Sequence, residues 1–321
     1  MPAIITHDFF AHQAYEDHSS HVGYSFDEHD AFILGSQGPD PLFYLIVNPL
    51  LKDRAKIGGA LHAEKPAEVL HVMRQAAEQL DETQRPVGRA YALGFLCHYL
   101  LDRTVHPLVY AQEYALCDAG EPGLDRNNGS DVHAVIETEL DEMTLFTHTG
   151  KTVAQFAPQD EILKCSDAAL HAISRMYVQV ADQVLGQAVP EDLFLQAVFA
   201  FRAVQAFFHS PRGIKRNTLR LLEGRVGKAA FARAMMHRPV EMEDTPFANS
   251  AREPWTNPFT DQQSTASFDD LVEAARADVA LWLPRYADPA FSLEQAEALA
   301  RGLNFSGEPV FAQLLSAEDL D

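Results

Sequence analysis

Apolar residues recur at steps of three and four over most of this chain, whereas stretches that alternate polar and apolar residues are scarce. This period places apolar side chains on one face of an α-helix, so we expect an all-α, multi-helix bundle. Helices are predicted at about 66–83 and 87–116, from Ser130 or Asp131 onward, and near 160–186, 190–209, 227–236, 268–283 and 292–302. Pro107 lies inside the second stretch, which is therefore either one long helix or two helices that meet near the proline.

The composition changes between residues 238 and 266, where proline, asparagine, threonine and serine are frequent. These residue types favour loops and turns over regular helices. The segment also contains Phe247, Trp255 and Phe259, and such a content of aromatic residues is unusual in a flexible tether. We therefore predict a strap that packs across the helices.

The formal net charge of −21 argues against a protein that relies on broad electrostatic attraction to nucleic acid or to anionic lipid. No apolar run is long enough for a transmembrane helix, and the chain does not start with a recognisable secretory signal. The three cysteines form no spaced pair, which is typical of a reducing compartment. We expect a soluble, cytoplasmic protein with no transmembrane segment, whose oligomeric state the sequence leaves open.

His98, Asp102 and His106 follow one another at intervals of four residues. On a helix they lie along one face, each rotated by only ~40° from the one before. The outer two are about 12 Å apart along the axis, too far to share one ion, so the helix is expected to serve two adjacent metals with the carboxylate between them. His133 and Glu137 repeat the four-residue interval on the next helix, a spacing that lets two side chains hold one ion.

Further candidate ligands lie upstream of these two helices. Asp40 occupies a Gly-Pro turn that can hold a carboxylate rigidly, and His62 directly precedes the helix at 66. His7 lies near the start of the chain, where His12 competes for the same role. Removal of the initiator methionine would expose Pro2, whose free amine can itself coordinate a metal.

In order and residue type this set resembles the zinc-dependent phospholipase C family, which shares its fold with the single-strand-specific zinc nucleases. The similarity spans residues 1 to about 145; HYLLDRTVHP resembles the family's central ligand helix, and GSDVHAVIE resembles its closing ligand pair. The resemblance implies a helical bundle of this type with a three-zinc cleft and additional C-terminal helices. It also implies the ligands: one zinc held by Asp40, His62, His98 and Asp102, a second by His106, His133 and Glu137, and a third by His7, Asp102 and the amine and carbonyl of the N-terminal residue, Pro2.

The activity that the resemblance implies is phospholipase C-like hydrolysis of a phosphodiester, with two or three zinc or other divalent ions that generate hydroxide at neutral pH. Asp40 would be both a ligand and the catalytic residue that positions or deprotonates the water. The substrate would be a small-molecule or lipid phosphodiester. Residues 1–150 would form the metal-binding helical core, and residues 151–321 a helical extension packed on it that includes the strap at 238–266.

Two alternatives remain open on the sequence. The dipeptides His7-Asp8 and His29-Asp30 are of the kind found in HD-type metal phosphohydrolases, which are also all-α, although that interpretation leaves the ligands between residues 98 and 137 unexplained. The other alternative is a non-catalytic metal-binding or scaffold protein of the same fold. A full three-metal set in an open cleft favours catalysis, whereas a single closed site with four ligands favours a structural role.

Overall fold

The computed structural model describes residues 4–120, 125–209 and 236–310. Over these ranges the chain folds into the all-α bundle that the periodicity predicted, with one short antiparallel pair of strands. The helices are α1 Ile4–Val22, α2 Phe26–Gly35, α3 Lys56–Ala63, α4 Pro66–Glu78, α5 Arg85–Cys117, α6 Gly129–Thr149, α7 Pro158–Glu161, α8 Asp167–Leu185, α9 Leu193–Phe208, α10 Phe268–Tyr286 and α11 Leu293–Ala300. Short 3-10 turns cover Asp40–Val47, Lys52–Arg54, Arg126–Asn128 and Pro246–Ala248, and the strands are β1 Trp255–Thr256 and β2 Gln263–Ser264. None of the helices in these ranges combines the length and the apolar character needed to cross a membrane.

Helix α5 runs through the middle of the bundle, and α1, α2, α4, α6, α8 and α10 pack around it. Every residue from Ala90 to Arg103 is buried, because this stretch is apolar on nearly all sides of the helix. His98 and Asp102 lie within the stretch and are therefore carried into the interior. An isolated polar side chain is unfavourable there, so both residues require polar partners or an ion.

The long helix passes through Pro107 without a break, which decides between the one-helix and two-helix predictions. Proline cannot donate the backbone hydrogen bond to the carbonyl of Arg103. Gly307 packs against this part of the helix, since a Cβ atom at Gly307 would lie 2.6 Å from the Arg103 carbonyl oxygen and 2.8 Å from Cγ of Pro107. The continuous helix keeps the three predicted ligands of α5 on one line.

The helix that carries the closing ligand pair begins at Gly129, so the prediction of an N-cap at Ser130 or Asp131 is wrong. Asp125 forms a capping box with Asn128 around the preceding 3-10 turn, and α6 continues directly from that turn. The helix predicted at 227–236 lies, apart from residue 236, outside the described residues.

The backbones of α2 and α5 touch at two glycines. A Cβ atom at Gly94 would lie 2.0 Å from the carbonyl oxygen of Phe32, and one at Gly35 would lie 2.4 Å from the carbonyl oxygen of Tyr91. Any larger residue would hold the two helices apart. The contact brings the turn that follows α2 against the side of α5 that carries His98.

Gly94→Ala is expected to force α2 and α5 apart and to lower the free energy of unfolding by about 1–3 kcal/mol, the usual effect of overpacking. Gly59→Ala is the matched control, because a Cβ atom there meets its nearest neighbour at 3.8 Å, an ordinary contact distance. Chemical denaturation of both variants measures the difference. An unchanged stability for Gly94→Ala would contradict the close approach of the two backbones.

The segment predicted as a strap, 238–266, packs on α5 and α6 and contains both strands. Gln112 donates a hydrogen bond of 2.8 Å to the carbonyl of Phe247, and the hydroxyl of Thr245 donates one of 2.9 Å to Glu139. After α11 the chain returns to the middle of the bundle and buries Phe305 completely. Residues beyond 150 thus pack directly on the first half of the chain.

Candidate metal centre

The eight side chains predicted as ligands lie together in the interior, although they come from five different elements. They are His7 on α1, Asp40 in the turn after α2, His62 on α3, His98, Asp102 and His106 on α5, and His133 and Glu137 on α6. Their ligand atoms form three groups, each with all atoms within 4.8 Å of one another: His7, His98 and Asp102; Asp40, His62 and His98; and His106, His133 and Glu137. Each group can hold a metal ion. Pro2, the remaining predicted ligand, lies outside the described residues.

The two carboxylate oxygens of Asp102 face different histidines. Oδ1 lies 3.1 Å from Nε2 of His7, and Oδ2 lies 3.2 Å from Nε2 of His98. Oδ2 is also 3.9 Å from Nε2 of His62 and 3.8 Å from Nδ1 of His106. A carboxylate oriented in this way can bridge two adjacent ions, the role predicted from its central place on α5.

Four of the five histidines are oriented by a hydrogen bond to Nδ1. The pairs are His62 with the Gly58 carbonyl (2.7 Å), His98 with the Ser36 carbonyl (3.0 Å), His106 with the Phe305 carbonyl (2.9 Å) and His133 with the Glu113 carboxylate (2.9 Å). A carbonyl oxygen only accepts hydrogen bonds, so Nδ1 of the first three rings carries a proton. When such a ring is neutral, its lone pair is on Nε2. This arrangement is typical of histidines that bind metal through Nε2.

Three polar atoms at the centre, Nδ1 of His7 among them, have no hydrogen-bond partner within the described part of the chain. Nε2 of His98 is buried and unpaired although Oδ2 of Asp102 is only 3.2 Å away. Oδ1 of Asp40 is unpaired although Nε2 of His62 is only 3.0 Å away. Close polar atoms that are not aligned for hydrogen bonds are expected where both point at a shared ion. Without an ion, the burial of such atoms would be costly.

The electrostatics of the centre also suit a cation. Burial raises the pKa of Asp102, but the neighbouring His106 and His98 outweigh burial and hold that pKa well below its usual range. Burial likewise raises the pKa of Asp40, and contacts with His62 and His98 lower it overall. Burial lowers the pKa of His98, which keeps its ring neutral. Burial lowers the pKa of His62, but Asp40 and Asp102 outweigh burial and raise it, so a metal ion bound to that ring would displace a proton.

Glu113 was not predicted as a site residue, yet it orients one of the ligands. Its carboxylate is buried and lies 2.9 Å from Nδ1 of His133. Burial lowers the pKa of His133, but Glu137 and Glu113 outweigh burial and raise that pKa to about 9. Glu113 therefore fixes the ring of His133 and makes its Nε2 a stronger ligand.

Glu113→Gln is expected to weaken metal binding at the group of His106, His133 and Glu137 by about 10–100-fold, the usual effect of removing a carboxylate that orients a ligating histidine. Competition with a chromophoric chelator measures the affinity. Glu78→Gln is the control, because Glu78 is a partly buried carboxylate on α4 that pairs with arginines and not with a ligand. Equal weakening in both variants would contradict a specific role for Glu113.

Asp141 is a second residue that the sequence prediction missed. It follows Glu137 by four residues on α6, and its carboxylate accepts hydrogen bonds of 3.0 and 2.8 Å from the backbone N–H groups of Ile5 and Thr6. A carboxylate at a helix N-terminus stabilises the free N–H groups there. Asp141 thus fixes the first turn of α1 and with it the position of His7. The continued four-residue spacing on α6 was the available signal.

One edge of the cluster reaches the surface. The side chains of His62, His106 and His133 are 16%, 12% and 14% exposed, whereas that of His98 is fully buried. A solvent molecule or a ligand can therefore approach from the side of these three histidines. A cavity of about 20 Å³ within the cluster, lined in part by His7, Asp102, His106 and Glu137, has room for about one water molecule.

His12, the competing candidate for the early ligand, belongs to none of the three groups. Its Nε2 lies 3.7 Å from Oδ1 of Asp8, and its ring centroid is 5.6 Å from that of His29. It therefore faces a different side of α1 from His7.

No protein-family model, no curated protein and no solved structure matches this chain. The resemblance to the zinc-dependent phospholipase C family therefore stays a prediction that rests on the ligand motifs.

Proposed function

We propose that this protein is a zinc-dependent phosphodiester hydrolase of the phospholipase C type. The observation that carries the proposal is the arrangement of eight potential ligands in three adjacent groups of three, two of which share His98. Structural zinc sites are closed by four protein ligands, whereas catalytic sites have three and leave a position for water or substrate. Three protein ligands at each group thus favour catalysis over a structural role.

The residue types favour zinc over the alkaline-earth ions. Five imidazoles and three carboxylates make up the groups, whereas magnesium and calcium prefer oxygen ligands throughout. Zinc binds readily to imidazole nitrogen and carboxylate oxygen in tetrahedral sites. The lone pairs on Nε2 of His62 and His98, whose Nδ1 atoms face carbonyl oxygens, fit this preference.

Divalent ions held by these groups would polarise the phosphoryl oxygens of a substrate and lower the pKa of a bound water towards neutrality. Asp40 is ionised, and its Oδ1 has no hydrogen-bond partner in the described part of the chain. It can therefore orient a water molecule or accept its proton. Asp102 belongs to the group of His7 and His98, and its Oδ2 lies 3.9 Å from Nε2 of His62 in the neighbouring group. Glu137 completes the third group from α6.

The surface charge favours a small substrate. With a net charge of −21 the protein has no general attraction for a polyanion such as nucleic acid. The exposed edge at His62, His106 and His133 offers access to one phosphodiester group. A small-molecule or lipid phosphodiester fits both observations.

The HD-type alternative requires the histidine and the aspartate of one dipeptide at the same metal. Asp8 belongs to none of the three groups, although His7 does. His29 and Asp30 contact each other at 3.2 Å and are also outside the groups. These observations support the phospholipase C-like interpretation.

Hydrolysis of bis(p-nitrophenyl) phosphate by the purified chain tests the proposal. His98→Ala and Glu137→Ala are expected to abolish zinc-dependent hydrolysis, because each removes a ligand of at least one group. His171→Ala is the control, since it removes an exposed histidine on α8. Hydrolysis that survives both ligand substitutions would contradict the proposal, and bound zinc without any hydrolysis would favour the scaffold alternative.

A further inference from the structure

A second cavity, of about 600 Å³, lies between α1, α2 and residues 156–164. This volume is within the range that small-molecule ligands occupy in proteins. None of the eight metal-site residues lines it. The cavity is therefore distinct from the metal centre, and the proposed hydrolysis makes no use of it.

Asp8 is the most informative residue of this cavity. It lines the cavity, is only 5% exposed, and its Oδ1 has no hydrogen-bond partner within the described residues. Nε2 of His12 lies 3.7 Å from that oxygen, beyond hydrogen-bond distance. A buried carboxylate oxygen without a partner is costly, and a donor or a cation bound in the cavity would satisfy it.

The other carboxylates that line the cavity already have partners. Oε2 of Glu161 lies 3.2 Å from Nζ of Lys164, and Oδ1 of Asp30 lies 3.2 Å from Nδ1 of His29. Among the carboxylates that line the cavity, Asp8 is therefore the one with an oxygen available for a charge-assisted hydrogen bond to a ligand.

Aromatic side chains form much of the remaining wall. Tyr15 and Phe156 line the cavity, and Tyr24 and Phe26 stand at its solvent side with 77% and 92% exposure. The faces of aromatic rings attract organic cations. A buried carboxylate together with aromatic walls is a suitable environment for a ligand that carries a positive charge on an apolar body.

We propose that this cavity binds an organic amine or ammonium compound, whose charged nitrogen is held by Asp8 and whose apolar part contacts the aromatic walls. A metal ion is the less favoured occupant, because Asp8, His12 and His29 are absent from the groups of converging ligand atoms in the described residues. The proposal does not depend on the hydrolytic activity, since its tests measure binding.

Nuclear magnetic resonance titrations of the zinc-loaded protein with phenethylamine and with benzyltrimethylammonium test the inference. The uncharged 2-phenylethanol is the matched ligand, since it has nearly the shape of phenethylamine without its charge. We expect both cations to bind at least about tenfold more tightly than the alcohol, because charge-assisted contacts contribute more than neutral ones. Failure of both cations to bind, or equal affinity for the alcohol, would overturn the inference.

Two variants locate the site. Asp8→Asn keeps the shape of the side chain and is expected to reduce cation affinity by about tenfold or more while leaving the affinity for the alcohol unchanged. Asp30→Asn is the control, because Asp30 lines the same cavity but is paired with His29, and it should bind the cations nearly as the unmodified protein does. Full cation affinity in Asp8→Asn would overturn the inference, as would an additional zinc ion lost specifically in that variant.

Discussion

Asp102→Asn is expected to remove more than one ion from the metal centre and to reduce phosphodiester hydrolysis by about 10³-fold, since metal ions contribute several kcal/mol to stabilising such transition states. The physical reason is the bridging position of the carboxylate, whose oxygens lie 3.1 Å from Nε2 of His7 and 3.2 Å from Nε2 of His98. Asparagine has one oxygen, and its amide nitrogen is not a zinc ligand. In either orientation of the amide, one of the two ions would lose its oxygen ligand. The other ion would keep an oxygen ligand, but that oxygen would be neutral.

Metal analysis and kinetic assays of this variant should be run beside Asp278→Asn. Asp278 also contacts α5, through an ion pair with Arg103 at 2.5 Å, but it belongs to none of the ligand groups. The control variant should retain both its ions and its activity. If Asp102→Asn kept the full number of ions at unchanged affinity, the bridging role would be wrong.

Gly38→Ala is expected to reduce metal content and hydrolysis about as strongly as Asp102→Asn, although it removes no ligand. Gly38 packs against the ring of His98 so closely that a Cβ atom would lie 2.2 Å from Cδ2 of the imidazole. Its carbonyl accepts hydrogen bonds of 3.2 and 2.9 Å from the hydroxyls of Tyr91 and Tyr177, which hold the turn in place. The added methyl group must therefore displace His98, the residue that two of the three groups share. Metal content should fall by at least one ion per chain.

Gly120→Ala is the matched control for Gly38→Ala. Gly120 also has a positive φ, +80° against +52° for Gly38, but a Cβ atom added there would meet no atom of the described residues within 4 Å. Both substitutions introduce the strain of a left-handed backbone at a residue with a Cβ atom, about 1–2 kcal/mol. Only the methyl group of Gly38→Ala contacts a predicted ligand, His98. Metal loss in both variants would point to general destabilisation, and full metal content in Gly38→Ala would contradict the packing against His98.

The firmest part of the site could be predicted because its geometry is local. Four-residue spacing on a helix fixes the relative direction of side chains whatever the rest of the chain does. This holds for the line of ligands on α5 and for His133 and Glu137 on α6, and the structure groups the last two with His106. The all-α class was predictable for the same reason, since it follows from a period that is repeated along the chain.

Other parts of the centre depend on tertiary packing, and no local pattern predicts them. The carbonyl of Phe305 accepts a hydrogen bond from His106, which is 199 residues away in the sequence. The carbonyl of Ser36 reaches His98 because glycines let α2 and α5 come into backbone contact. Main-chain acceptors of this kind have no residue-type signature. The sequence also left open whether the helix breaks at Pro107, because the packing of Gly307 is a long-range contact.

The metal content of the purified chain tests the existence of the centre most directly. Inductively coupled plasma mass spectrometry of protein prepared without chelator should find two or three zinc ions per chain, in keeping with three ligand groups, two of which share His98. His98→Ala should lower that number, and His171→Ala should leave it unchanged. Less than one ion per chain, with no recovery after zinc is added, would contradict the account.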